Sequence, residues 1–265
     1  MVSRVLKNSI FLRIYAGLVV LVVVVAVFCY LLVQIINYQR AQEYRESLTD
    51  GISYVISEGV ARQPEKQQKL DWISDASDLL ELPIYYVDAA RVELSRTERK
   101  RIAEQKSVVR YDANNGIGYV IIGLKDDPKH FLYIKVDKIG ERQMKALPIF
   151  VLDYLIFYPG QEREYLEKIK KHFYYPIEIA DIRDINLDSE QIGRLRQDQS
   201  VLLYKDSASI RGTTISIVSP MPNHPAQVLV LGPVPMFNWM PFQLAAGITL
   251  FSLFLLSLGV YGLIL

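Results

Sequence analysis

Residues 83–111 read PIYYVDAARVELSRTERKRIAEQKSVVRY, and residues 176–204 read PIEIADIRDINLDSEQIGRLRQDQSVLLY. The two stretches align without a gap at an offset of 93 residues. The positions that meet an identical residue are Pro83, Ile84, Asp88, Leu94, Arg101, Ser107, Val108 and Tyr111. Because these matches mix turn residues with apolar core residues, shared composition does not explain them. The sequence therefore predicts two copies of one structural unit.

Each copy begins with an amphipathic helix, whose apolar residues recur at helical spacing. They are Leu70, Ile73, Ala76 and Leu80 in the first copy, and Leu166, Ile169 and Phe173 in the second. A strand that opens with proline follows, PIYYVD or PIEIAD, and then a second helix begins at a capping box. The capping pairs are Ser95 with Glu98 and Asp188 with Gln191.

Three further strands close each copy. They are SVVRYD, GYVIIGL and FLYIKVD in the first copy, and SVLLYKD, TTISIVS and QVLVLGP in the second. The predicted fold is therefore α+β, with two tandem copies of a helix-backed antiparallel sheet, each similar in size to a PAS domain.

Apolar residues are concentrated at the two ends of the chain. No charged residue lies between Leu18 and Val33 or between Phe242 and Leu265. Because about 20 apolar residues span a bilayer as a helix, we predict transmembrane helices at residues 15–36 and 242–265. Residues 1–14 are basic and carry no acidic residue, which predicts a cytoplasmic tail. Residues 37–241 are then expected outside the cytoplasm.

The exported region divides into copy one at residues 37–140, an apolar connecting helix at 141–160 and copy two at 161–235. The connecting helix contains Asp153 and is too short to span a bilayer. We expect it to be buried between the copies or at a dimer contact.

The helix of the first span is predicted to continue outward, because one stripe carries Tyr44, Leu48, Ile52, Val55 and Gly59. Such a helix can transmit a displacement into the bilayer or serve as a core helix of the first copy. A sensor uses one helix for both purposes.

No catalytic, cofactor or metal site is predicted, and no ligand-binding residue can be named at this point. His130, His172 and His224 are scattered without metal-ligand spacing. His130 and His224 fall in predicted loops, and His172 ends a helix, where a charged imidazole is favoured. Cys29, the one cysteine, lies in the first span, so the exported region has no disulfide. A net charge of +1 argues against a nucleic-acid partner.

The last strand leads into the second span through LGPVP, residues 231–235. Pro233 and Pro235 fix the φ angle and reduce slack, and Gly232 permits a sharp turn. We therefore predict that Gly232, Pro233 and Pro235, placed past the last strand, couple the exported region to the second span.

This order of features resembles the N-terminal half of RstB-like sensor histidine kinases, and LGPVP is the most specific part of the likeness. The runs IYAGLVV and QRAQEYRESL are especially similar to the biofilm-regulating members of that family. The resemblance implies a homodimer in a bacterial inner membrane, in contact with lipid, that detects an unknown signal or protein in the periplasm. It also implies signal transduction to a cognate response regulator in a two-component system.

The resemblance assigns the transferase reaction and its ATP to a kinase part, and no HAMP linker, histidine box or ATP-binding box occurs up to Leu265. The chain is therefore expected to be the non-enzymatic sensing half. Its duplication departs from the single unit associated with RstB, so no ligand pocket is carried over. Two alternatives stay open: the input module of a chemoreceptor or cyclase, and a two-span envelope scaffold.

Overall fold

The computed structural model describes residues 2–112, 115–137, 140–205, 213–222, 224–235 and 246–255, without the side chains of residues 2–16, 18 and 235. It contains two compact units, one of residues 43–236 and one of residues 1–42 with 237–265.

The chain begins with a single long helix, α1 (Val2–Ala61). Within Val19–Ala61 an 18-residue window has a mean hydropathy of 3.1, and none of it is buried. This helix is long and apolar enough to cross a membrane. Of the predicted second span, the structure describes an apolar helix at Ala246–Leu255. The other residues of 242–265 lie outside the described part of the chain.

The first sheet is antiparallel and has the strand order β1-β4-β3-β2. In chain order, the helices and strands of this part are α2 (Lys66–Leu80), β1 (Ile84–Asp88), α3 (Arg96–Ala103), β2 (Val108–Asp112), β3 (Ile117–Gly123) and β4 (His130–Val136).

The second sheet is also antiparallel, with the strand order β5-β8-β7-β6. In chain order, the helices and strands of this part are α4 (Glu141–Ile156), α5 (Glu162–Lys170), β5 (Ile177–Asp181), α6 (Ser189–Leu195), β6 (Val201–Lys205), β7 (Thr214–Met221) and β8 (His224–Pro235). The predicted α+β class with antiparallel sheets is confirmed.

The two sheets have the same topology and matching local structure. Strands β5 and β6 begin and end 93 residues after β1 and β2. Both predicted capping boxes, at Ser95 and at Asp188, are formed. The turn after the capped helix has a left-handed residue in each case, Gln105 with φ 58° and Asp198 with φ 57°. The repeat in the sequence is therefore matched by a repeat in the backbone.

Helix α4 has a role beyond the connector that was predicted for residues 141–160. It packs on β6, β7 and β8 and also contacts α2. Its buried positions from Ala146 to Leu155 follow those of α1 from Gly51 to Val60, at an offset of 95 residues. The folded end of α1 and helix α4 are thus counterparts. We call residues 43–136 the first module and residues 141–235 the second module.

One hydrophobic core joins the two modules. Ile56 of α1 and Leu132 of β4 belong to it, as do Val151 and Leu155 of α4 and Leu229 of β8. All five side chains are at most 1% exposed. Burial of this kind stabilises a fold by roughly 1.5–3 kcal/mol for each large aliphatic side chain.

Candidate functional site

The folded end of α1 is held closely on two sides. Of its predicted stripe, Ile52 and Val55 are buried and Leu48 packs against the core. A Cβ atom on Gly51 would lie 2.4 Å from the ring of Phe173 in the second module. A Cβ atom on Gly59 would lie 2.4 Å from Trp72 on α2. These glycines let neighbouring rings pack against the helix backbone, so its position depends on both modules.

A polar clamp, formed by Asp50, Arg101 and Ser107, fixes α1 to the first sheet. Oδ1 of Asp50 accepts hydrogen bonds from the Ser107 amide at 2.9 Å and from the Ser107 hydroxyl at 2.9 Å. Nη2 of Arg101 donates to the same oxygen at 3.0 Å. The Asp50 side chain is only 15% exposed. Charge-assisted hydrogen bonds with little exposure are among the stronger polar interactions in proteins.

Neighbouring residues extend this clamp along α1. Arg101 also forms an ion pair with Glu46, one helical turn before Asp50, at 3.2 Å. The hydroxyl groups of Thr49 and Ser107 lie 2.7 Å apart. A translation of α1 along its axis, or a rotation about that axis, would therefore break several polar contacts at once.

Aromatic contacts hold α1 to the second module. The rings of Tyr54 and His172 are stacked with centroids 3.7 Å apart, and Tyr44 meets Tyr174 edge-on at 6.3 Å. Burial, followed by the nearby charge of Glu58, raises the pKa of Tyr54 to about 12. Burial also lowers the pKa of His172, which favours the neutral imidazole. The sequence had favoured a charged imidazole at the helix end.

Just past the end of α1, the guanidinium carbon of Arg62 lies 4.4 Å from the ring centroid of Tyr154 and 4.8 Å from that of Phe157. Contacts of a guanidinium with aromatic faces are attractive. The end of α1 is thus fixed to α4 as well as to the sheets.

Gly232, Pro233 and Pro235 lie inside strand β8, which ends at Pro235. The predicted strand QVLVLGP ended at Pro233, and the coupling residues were expected to lie past the strand. The latter expectation was wrong, because the strand continues to Pro235. Ile217 pairs with Leu231 and Ile215 with Val234, so β8 has one extra residue at this point. This is a β-bulge. Gly232 has φ 116° and is buried, and a Cβ atom there would lie 2.7 Å from the Ile215 carbonyl oxygen. Only glycine fits this position without strain.

A groove lies between the end of α2, helix α4 and the start of β6, with a volume of about 990 Å³. Its polar lining includes Lys145, Gln199, Ser200 and Ser219, and its apolar lining includes Ile149. In the first module, Tyr54, Ser57, Gln105 and Gly123 line a small cavity of about 10 Å³.

A polar trio of Tyr86, Asp127 and His130 joins β1 to β4. Asp127 accepts from the Tyr86 hydroxyl, and its Oδ1 lies 2.9 Å from Nδ1 of His130. Although burial raises the pKa of Asp127, the bonds from Tyr86 and His130 outweigh this effect and lower it. His130 and His224 each begin a strand, β4 and β8, rather than lying in loops. Across the described residues, no three metal-ligand side chains form a group.

The polar clamp was missed by the sequence reasoning. Arg101 and Ser107 had been identified as identical in both copies, but no function was attached to them. Extending the gapless offset of 93 upstream places Asp50 opposite Gln143, so the sequence alignment does not show the reversal of charge. The reversal appears only when the buried positions of α4 are aligned with those of α1, which places Asp50 opposite Lys145.

Comparisons with known proteins give no relative from which a function can be transferred. No family model, curated protein or solved structure matches this chain.

Proposed function

We propose that the chain is the signal-sensing and transmembrane input region of a two-component sensor histidine kinase in a bacterial inner membrane. The observation that carries this proposal is helix α1, which runs without interruption through 60 residues. Its apolar part can cross a membrane, and its last turns are fixed to both modules. A sensor needs such a continuous element, because a helix resists bending within a few turns.

Transmission in this proposal depends on two states of the modules. A signal shifts their equilibrium only by the difference in its affinity for the two states. Asp50 is bonded to the first module, whereas Gly51 and Tyr54 contact the second. If the modules move relative to each other, this end of α1 is therefore displaced. The displacement then passes along α1. Strand β8 gives a second proposed route, since it ends at Pro235, shortly before the predicted second span at residues 242–265.

The proposed orientation has the modules in the periplasm and both ends of the chain in the cytoplasm. We would test it with the Cys29→Ser variant carrying Arg99→Cys, because Arg99 is exposed on α3. A membrane-impermeant maleimide should label this cysteine in spheroplasts. If labelling occurs only after the membrane is opened, the orientation is reversed.

Signalling is tested by fusing the chain in frame to the linker and kinase core of a two-span sensor kinase with an established transcriptional reporter. Arg101→Met removes the clamp cation and should change the basal output. Arg194→Met is the matched control, because Arg194 is the repeat counterpart of Arg101 and pairs only with Glu190 on its own helix among the described residues. Membrane levels of both fusions are compared by immunoblot.

The outcomes separate the proposed sensor from a scaffold. A sensor predicts that Arg101→Met changes output while Arg194→Met does not. If neither this substitution nor disruption of α1 by Gly59→Trp changes output at equal protein level, the modules do not control a kinase. A chemoreceptor or cyclase input would behave as the sensor does in this assay, since the input principle is the same.

A further inference from the structure

The groove and the small cavity described above occupy corresponding places in the two modules. Ile149 and Leu152 of the groove correspond to Tyr54 and Ser57 of the cavity, on the counterpart helices. Asp198 and Gln199 correspond to Gln105 and Lys106 on the turn after the capped helix. The same site is thus nearly closed in the first module, at about 10 Å³, and open in the second, at about 990 Å³.

The turn that lines this site has one backbone geometry in both modules. The Lys106 amide donates to the Arg101 carbonyl at 2.9 Å, and the Gln199 amide donates to the Arg194 carbonyl at 3.0 Å. A left-handed residue precedes each donor, Gln105 or Asp198. The next residue is a buried serine in both, Ser107 or Ser200. The backbone amide of the serine therefore follows the same turn in both modules.

In the first module this serine binds a carboxylate. Asp50 of α1 places Oδ1 within 2.9 Å of both the amide nitrogen and the hydroxyl oxygen of Ser107. Arg101 supplies the positive charge at 3.0 Å. The turn is thus a carboxylate receptor that the protein fills with its own side chain.

In the second module the counterpart of Asp50 is Lys145, at the offset of 95 residues that aligns the two helices. Nζ of Lys145 lies 2.6 Å from Glu141 on the same helix, and its side chain is 29% exposed. The Ser200 hydroxyl donates to Ser219 at 3.1 Å. Of the carboxylates in the described part of the chain, none is hydrogen-bonded to Ser200. The receptor turn is kept, its internal carboxylate is replaced by a cation, and the space beside it is open.

We propose that this groove binds a small organic carboxylate, which takes the position in the second module that the Asp50 side chain takes in the first. The Ser200 amide would donate to the carboxylate, and Lys145 would supply the charge. Arg142 lies at the edge of the groove, paired with Glu81. Leu79 and Ile149, 39% and 42% exposed, offer an apolar surface for the rest of the ligand. An apolar or aromatic acid fits this combination better than an inorganic anion.

Such a ligand would join the two modules. Leu79 belongs to α2 of the first module, whereas Ser200 and Lys145 belong to the second. Binding would therefore favour one relative position of the modules, which deepens the proposed sensing function and rests on it for its physiological meaning. The binding event itself can be measured without any kinase.

The test uses the full chain in lipid nanodiscs with para-fluorobenzoate as the probe and para-fluorobenzamide as its neutral analogue. Fluorine NMR line broadening measures binding. We expect broadening with the acid at millimolar concentration and at least about tenfold weaker binding of the amide, since charge-assisted hydrogen bonds exceed neutral ones. Lys145→Met should weaken acid binding by a similar factor. Lys168→Met, which changes a cation on α5 away from the groove, should leave it unchanged.

A second variant separates loss of binding from loss of folding. Lys145→Asp gives α4 the carboxylate that α1 has, so it should fill the receptor from within, abolish broadening and leave the thermal midpoint equal or higher. Equal binding of acid and amide, unchanged binding in Lys145→Asp, or no broadening of the acid in the wild type would each overturn the proposal. Failure of the kinase fusion to respond to both Arg101→Met and Gly59→Trp would overturn the sensing function and leave this binding result untouched.

Discussion

The two modules share a strand order, a capped helix and a serine turn, yet they differ in the charge that their long helix presents to that turn. Asp50 in the first module closes the site and fixes α1. Lys145 in the second module leaves the site open. Asp50 and Lys145 are one of several differences between the corresponding sites, which also differ at Tyr54 and Ile149 and at Ser57 and Leu152. The duplication lets one half serve as the control for the other.

The largest effect is expected from removing the anchor in the first module. Asp50→Ala leaves the Ser107 amide without its acceptor and removes one of the two acidic partners of Arg101. The cost should be about 2–4 kcal/mol, because several charge-assisted bonds of little exposure are lost together. Hydrogen exchange of the full chain in nanodiscs should show faster exchange in β2 and in residues 43–61.

Lys145→Ala is the control at the counterpart position and should leave exchange in β6 unchanged within error. Equal effects of the two substitutions would mean that the modules do not differ in the way described.

The next effect concerns the bulge that only the second sheet has at this position. Gly232→Ala should cost about 1–3 kcal/mol, because an alanine there combines an unfavourable φ with a close approach to the Ile215 carbonyl. Its counterpart in β4 is Lys135, which pairs regularly with Tyr119. Lys135→Ala should therefore be nearly neutral in thermal unfolding. A neutral Gly232→Ala would show that the bulge relaxes freely.

Acid should weaken the first module through a pair that the second lacks. Arg110 donates to Glu98, and this bond, opposed by burial and aided by Ser95, lowers the Glu98 pKa to about 2. The pKa of Glu98 in the folded state lies below the unfolded value of 4.5. The stabilisation is therefore fully present above pH 4.5 and is lost as the pH falls toward about 2. Its size is about 1 kcal/mol for a partly exposed bidentate pair.

The counterpart residues Gln191 and Leu203 supply the matched variant, Glu98→Gln with Arg110→Leu. In a Trp239→Phe background, Trp72 on α2 reports urea unfolding of the first module. The midpoint should fall between pH 4.5 and 2 in the parent and fall less in the double variant. If the urea midpoint falls equally with pH in the parent and in the double variant, the acid effect comes from other carboxylates.

The smallest change in stability for each substituted residue is expected at the end of β8. Pro233→Gly with Pro235→Gly should cost about 0.4–1 kcal/mol for each residue, chiefly through the greater freedom of the unfolded chain. The reporter output of the kinase fusion should nevertheless become unresponsive, because the strand would then end in a slack connection. A fully responsive fusion would leave α1 as the route of transmission. The clamp variants and the proline variants together decide which end of the modules carries the signal.

Local patterns were enough to predict most of the elements. Amphipathic spacing identified α2 and α5, the capping pairs identified α3 and α6, and short apolar runs identified the strands. The offset of 93 residues predicted that the two sheets would share one strand order, and the structure has it. Gly232 has the unusual φ that its residue type suggested, and the coupling role of Gly232, Pro233 and Pro235 stays a prediction. The continuation of the strand to Pro235 was not foreseen. Pairing with β7 extends β8 to Pro235, and nothing local encodes that.

The sequence by itself determined the apolar helix, the repeat and the α+β class, because these depend on residues close together along the chain. Tertiary structure alone decided which residues meet across long separations. Asp50 meets Ser107 across 57 positions, and Gly51 meets Phe173 of the other module. Whether a charged residue fills a site or leaves it open depends on the register of α1 or α4 against a distant turn. That register is set by packing of the whole core, which makes the first site an anchor and the second a groove.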